Sequence, residues 1–188
     1  GDHIMAICAS YLNKHGLLNK STVVSTVMSN MGLEQALKKS GIHMVRTRVG
    51  DRYVLEEMLN KGYNFGGEQS GHILYLDHNT TGDGILTGVN LLKVMVDEKK
   101  PLSQLKTIMK VFPQVLINVK VANKTEYTEN KKIQEFITQS QEILGESGRI
   151  LVRPSGTEPL IRVMVEGEEQ AVIEDIGQKI AKVIEEEL

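Results

Sequence analysis

Apolar residues along this chain change their spacing in a regular order, and that order predicts an architecture. "GDHIMAICASYL" sets Ile4, Ile7, Cys8 and Leu12 on one helical face behind Asp2, a residue type suited to an N-cap. "STVVSTV" is a β-branched run fit for a buried strand, and "GLEQALKKSG" returns to helical spacing until Gly41. The alternation repeats: "IHMVRT" reads as a strand, "DRYVLEEMLNKG" as a helix from an Asp51 N-cap to Gly62, and "HILYL" as a strand. "DGILTGVNLLKVMVDEKK" reads as a helix that ends before Pro101. Strands alternating with helices predict a mixed, mostly parallel, helix-flanked sheet, an α/β domain over residues 1–108.

Past "MKVFPQ", read as a linker, the order changes. "QVLINVKV" is a strand, "ENKKIQEFITQSQEILG" a helix stopped at Gly145, and "RILV" and "LIRVMVEG" two strands close enough to form a hairpin. The closing helix "EEQAVIEDIGQKIAKVIEEEL" carries Val172, Ile176, Ile180 and Ile184 as its expected apolar face. Residues 109–188 are therefore expected to form a smaller α+β domain with an antiparallel sheet and two helices.

Charge and composition narrow the function classes. A formal net charge of -2 over 188 residues offers no global attraction to nucleic acid or an anionic membrane. No run reaches the length of a membrane span and no signal-peptide pattern opens the chain, so a cytoplasmic location is expected. The one cysteine, Cys8, has no intrachain disulfide partner and sits on the apolar side of its helix, as a core residue would. An opening directly on a helix pattern, without an initiator Met, leads to the expectation of a piece of a longer protein.

Two polar, glycine-containing connections carry the candidate chemistry. In "NFGGEQSGH", Gly67 and Gly71 permit close backbone approach around Glu68 and Ser70, a carboxylate and a hydroxyl suited to neighbouring sugar hydroxyls, with His72 at the strand entrance. His72 could assist proton transfer or hold the loop by hydrogen bonding. In "RPSGTEP", Arg153 offers a planar fork for phosphate oxygens, and Ser155, Gly156 and Thr157 add neutral donors; Arg162 on the outgoing strand could reach the same pocket. Other patterns fail. "DHNTTGDG" begins like an EF-hand loop but leads to Gly88 where a bidentate Glu is needed, and neither a P-loop, a dinucleotide fingerprint nor a zinc spacing occurs. No metal ligand set is expected.

Taken together, "GGEQSGHI", "RPSGTEPLIRVMVEG", "RTRVGDRYVLEEM" and "TGDGILTG" resemble the α-D-phosphohexomutase superfamily, over essentially the whole chain. The resemblance implies the third and fourth domains of an isomerase that moves a phosphoryl group through an active-site phosphoserine and a bisphosphorylated sugar. It is closest to the bacterial branch that interconverts glucosamine 6-phosphate and glucosamine 1-phosphate, toward UDP-N-acetylglucosamine and peptidoglycan. By that resemblance Glu68 and Ser70 bind sugar hydroxyls, His72 lies beside the reacting sugar, and Arg153, Ser155, Gly156 and Thr157 grip the phosphate that is not transferred. The superfamily's Ser-His-Asn-Pro type phosphoserine loop and its DGDxDR type Mg²⁺ loop are absent from these residues. The resemblance therefore implies N-terminal domains of the same enzyme as partners, Mg²⁺ held outside this chain, and no turnover by this chain alone. Two alternatives stay open: the same half of a member acting on glucose or mannose phosphates, and a non-catalytic phosphosugar-binding module.

Overall fold

β1 (Thr22–Thr26) is buried at every position, as a β-branched run flanked on both sides by other strands should be. In the computed structural model, which describes residues 1–124 and 126–188, β1 pairs in parallel with β2 (His43–Thr47) on one side and β3 (Phe65–Gly67) on the other. β4 (Ile73–Tyr75) joins β3 antiparallel, which gives the order β2-β1-β3-β4. Helices α1 (Asp2–Lys14), α2 (Met31–Lys39) and α4 (Gly84–Glu98) contribute Met5, Cys8, Leu33, Leu37 and Leu86 to one core with Phe65 and Ile73. On the other side α3 (Asp51–Lys61) sets Val54 and Met58 against Val24 and Leu74. A short α5 (Leu102–Leu105) follows, and this compact unit runs from Gly1 to Val111.

The second compact unit, Phe112–Leu188, holds β5 (Gln114–Lys120), β6 (Gly148–Pro154) and β7 (Leu160–Gly167), antiparallel in the order β5-β7-β6. α6 (Lys131–Leu144) and α7 (Gln170–Glu187) cover Val119, Ile161, Val163 and Val165 on one face. The Asn130 side chain caps α6 by accepting the Ile133 N–H at 3.1 Å. Among the described residues no helix is long and apolar enough to cross a membrane.

Several local expectations need correction. Asp2 and Asp51 occupy the first helical positions, and Gly1 and Gly50 are the N-cap residues; an acidic side chain there still meets the positive end of the helix dipole. Asp2 instead accepts the Asn30 N–H at 2.9 Å. The two units do divide within "MKVFPQ", between Val111 and Phe112, but the stretch is not a free tether, since Met109 and Phe112 are both buried, Met109 within the first core. In α7 the buried face runs through Ile173, Ile176, Ile180 and Ile184, while Val172 is exposed. Steps of four residues drift by about 40° each around a helix of 3.6 residues per turn, so three of them rotate Val172 off the face that Ile184 shares.

The largest correction is β3, which lies inside the segment read as a loop. A Cβ on Gly66 would stand 2.5 Å from the Val24 carbonyl oxygen and 2.9 Å from the Met58 sulfur, and one on Gly67 would stand 2.6 Å from the His72 carbonyl oxygen. These glycines let the central strand pack tightly.

Candidate functional site

The strand order itself marks a crevice in the first unit. From β1 the chain crosses to β2 on one side, then returns past β1 to β3 on the other, so the connections diverge between the carboxyl ends of β1 and β3. Ligands in open α/β sheets bind at such a switch point. β1 ends there in Ser25 and Thr26, and β3 in Gly67, followed by Glu68, Gln69 and Ser70. The sequence-selected residues of the first loop thus come to the edge where topology alone would place a site.

Backbone bonds make this connection tight. The Glu68 amide donates to the His72 carbonyl at 2.9 Å and the Gly71 amide to the Glu68 carbonyl at 3.0 Å. Gly71 has φ +102°, a left-handed conformation that favours glycine. Glu68 Oε1 accepts the Gly50 N–H at 3.0 Å, which ties the loop to the start of α3, while Gln69 accepts from the Thr26 hydroxyl at 3.3 Å and Ser70 is exposed. The Ser25 hydroxyl donates to the Gly67 carbonyl at 2.8 Å.

His72 is held between two elements. Its Nε2 lies 3.3 Å from Asp51 Oδ2 without an aligned hydrogen bond. Its ring rests on Gly82, where a Cβ would stand 2.3 Å from Nε2. The stretch "TGDG" therefore has two local uses: Gly82 leaves room for the imidazole, and Asp83 caps α4 by accepting the Ile85 and Leu86 amides at 2.9 Å each. Gly50, Asp51, Gln69 and Gly82 were not selected from sequence as site residues. Gln69 lies within "GGEQSGH", Gly50 and Asp51 within "RTRVGDRYVLEEM" and Gly82 within "TGDGILTG", but their contacts with Thr26, Glu68 and His72 arise through the fold.

The second unit gathers cations around the β6–β7 connection. Arg153 and Arg162 stand directly opposite each other across the two strands. Like charges in that register repel unless an anion lies between or beside them. Arg162 donates to Glu158 at 3.0 Å, and burial, followed by the Arg162 charge, pulls the Arg153 guanidinium below its ordinary pKa. Ser155 is buried: its amide donates to the Leu160 carbonyl at 2.9 Å and its hydroxyl oxygen accepts the Glu158 N–H at 3.3 Å. Lys124, not anticipated from the sequence, donates through Nζ to the Ser155 carbonyl at 2.7 Å and the Glu158 carbonyl at 3.3 Å. Gly156 and Thr157 are exposed, and among the described residues their backbone N–H groups have no protein acceptor. Pinned carbonyls, unclaimed amides and two guanidinium groups form a surface able to accept a dianion. A metal site would need a different donor set, and among the described residues no group of three or more His, Cys, Asp or Glu is arranged to hold an ion.

Comparison with known proteins bears on both units. The family model described as phosphoglucomutase/phosphomannomutase, alpha/beta/alpha domain III, matches residues 1–112, and the model of the phosphoglucomutase/phosphomannomutase C-terminal domain matches residues 116–183. The chain is similar to phosphoglucosamine mutase of Ruminiclostridium cellulolyticum, at 54% identity over 98% of this chain, and to that of Anoxybacillus flavithermus, at 55% over 99%. It spans 42% of the length of each. Among solved structures it is similar to Aspergillus fumigatus N-acetylphosphoglucosamine mutase, with TM-score 0.83 and 18% identity over 99% of this chain and 43% of that one. An N-acetylglucosamine-phosphate mutase in its substrate complex gives TM-score 0.80 and 20% identity over 98% of this chain and 43% of that one. At such identities the structural likeness speaks for the fold.

Proposed function

We propose, on the premise that this chain belongs to the phosphoglucomutase/phosphomannomutase family as its domain III and C-terminal domain, that it is the substrate-binding half of a phosphoglucosamine mutase. The complete enzyme would interconvert glucosamine 6-phosphate and glucosamine 1-phosphate in the cytoplasm. The observation that carries this reading is identity of 54–55% spread over 98–99% of the chain to relatives of that name.

In this reading Glu68 and Ser70 hold sugar hydroxyls at the switch-point crevice, with Gly67 and Gly71 shaping the loop. The Gly50 amide fixes one oxygen of Glu68 and so leaves the other to face the sugar. His72, braced by Asp51 and Gly82, lies beside the reacting end, where it can relay a proton or only support the loop. Arg153, Arg162, Thr157 and the Gly156 and Thr157 amides grip the phosphate that is not transferred, and Ser155 and Lys124 hold that loop open. Because the sugar must bind in two orientations, the grip recognises phosphate and not the carbon that bears it. Binding energy at this remote phosphate orients the reacting end.

Mg²⁺ and the phosphoserine belong to the rest of the enzyme in this proposal. The ion would supply charge stabilisation during phosphoryl transfer there, and no step in this chain runs through it.

NMR titration of the 188-residue chain with glucosamine 6-phosphate, and separately glucose 6-phosphate, tests the reading. Saturable shifts in both loops are expected, stronger for the amino sugar and lost with Arg153→Ala. Equal or tighter binding of glucose 6-phosphate would transfer the proposal to another hexose phosphate. Interconversion by the purified chain alone would overturn the division of labour.

A further inference from the structure

Helix α4 turns four large apolar side chains toward solvent: Ile85 is 83% exposed, Val89 and Leu92 59% each, and Val96 72%. Their spacing of four, three and four residues makes one continuous stripe along the helix. The other side of the helix is already occupied, since Leu86 and Leu91 pack against the first core and Val94 is buried. Gly88 borders the stripe, exposed, with open space where a Cβ would stand. Nothing within this unit requires glycine there, and glycine weakens a helix interior. A bare backbone at that point permits close approach from outside.

The stripe also begins beside the candidate site. Asp83, the cap of α4, donates its amide to the Ile73 carbonyl at 3.4 Å, and Gly82 carries the His72 ring. Four such side chains expose several hundred Å², the size at which an apolar patch on a soluble protein marks a contact. That falls short of the roughly 800 Å² per partner that a free-standing dimer buries. A patch of this size suits an occupant joined to the chain covalently, for which a high effective concentration compensates for limited area. The relatives have such an occupant to offer, because this chain spans only 42% of their length.

We infer that the stripe formed by Ile85, Val89, Leu92 and Val96 is the face on which the remaining part of the same polypeptide docks, beside the Glu68–His72 loop. The inference rests on the proposed function, which is what assigns a remaining part, and it adds where that part sits.

Cys8 is buried and is the only cysteine, so Val89→Cys places a single reactive thiol on the stripe. Its labelling rate is compared between the 188-residue chain and a chimera in which the preceding part of the Anoxybacillus flavithermus relative is joined ahead of it. Labelling should be fast in the chain and slower by about tenfold or more in the chimera, as for a group reached only through local opening. Equal rates would overturn the inference, and so would protection in the chain alone that grows with its concentration, which would assign the stripe to a second copy. Mutase turnover by the chimera reads the proposed function separately: turnover with an unprotected thiol sinks the docking face alone, and protection without turnover sinks the enzymatic reading alone. Should the chimera not fold, the full-length relative with a cysteine at the position aligned with Val89 gives the same readout.

Discussion

The two glycine-containing connections look alike in sequence and are built on different physics. Around β3 the glycines are demanded by the protein itself: Gly66 and Gly67 sit where a Cβ would meet backbone oxygen at 2.5 and 2.6 Å. Around Gly156 the space is open, its φ lies outside the left-handed region, and the loop is held by the Ser155 hydroxyl and the Lys124 ammonium group. The first loop is a steric consequence of sheet packing that happens to deliver Glu68 and Ser70 to a crevice. The second is a charged, bonded frame around unclaimed amides. A glycine-rich motif therefore does not by itself say whether its glycines serve the fold or a ligand.

The sharpest way to break this contrast is a pair of alanines. Gly66→Ala forces a methyl group against the Val24 carbonyl and the Met58 sulfur, and overpacking of that kind should cost at least about 2 kcal/mol of first-unit stability in urea denaturation. Gly156→Ala should change stability by no more than about 0.5 kcal/mol, on the stabilising side, because it restricts only the unfolded chain. Equal effects would abolish the distinction.

Next in size is the loss of a charge facing the proposed phosphate. Arg153→Ala should weaken glucosamine 6-phosphate binding by about tenfold or more, the worth of a hydrogen bond to a charged group. The facing Arg162 loses a like-charged neighbour in the same change. A large drop in stability instead would make Arg153 a structural residue. Smaller again is Ser155→Ala: losing the acceptor for the Glu158 amide should cost about 1 kcal/mol in the melting of the second unit. Binding should weaken alongside, because the loop that displays Gly156 and Thr157 loosens.

The sequence showed the alternation of helices and strands because that information is local: residue spacing, caps and breakers lie within a few positions of each other. β3 escaped for the same reason. Three residues, two of them glycine, are too short to show alternation and run against strand preference, and their fitness for the strand depends on contacts with other elements, Val24 in β1 and Met58 in α3. The candidate site divides likewise. Glu68, Ser70, His72 and Arg153 could be selected by chemical type, whereas Lys124 reaches Ser155 from 31 residues away and Asp51 reaches His72 through the fold. No local pattern around "NKT" announces a cation that pins two carbonyls. On α7, Ile176, Ile180 and Ile184 were placed correctly and only Val172 stood in for Ile173, because strict steps of four were followed where a real helix mixes threes and fours.

The smallest predicted effect is one in which the two units should agree. Each has a partly exposed carboxylate tied to an exposed lysine on another helix: Glu98 to Lys14 at 2.7 Å, and Glu187 to Lys132 at 2.5 Å. The lysine hydrogen bond, above all, holds both carboxyls below their usual value of 4.5. A carboxyl whose pKa is lower folded than unfolded stabilises above the unfolded value, and that contribution disappears as pH falls through the folded one. Lys132, raised by the same pair, contributes below its unfolded value and loses that contribution at alkaline pH. Because both lysines are exposed and both carboxylates reach solvent in part, salt should screen the effect. Melting curves of Glu98→Gln and Glu187→Gln from neutral to acid pH, at low and high salt, should each show a slight loss at neutral pH that vanishes in acid and shrinks with salt. A loss exceeding that of Ser155→Ala in either variant would mean that the pair carries a unit's stability, and the contrast between a packed loop and a charge-framed one would then have to extend beyond the site.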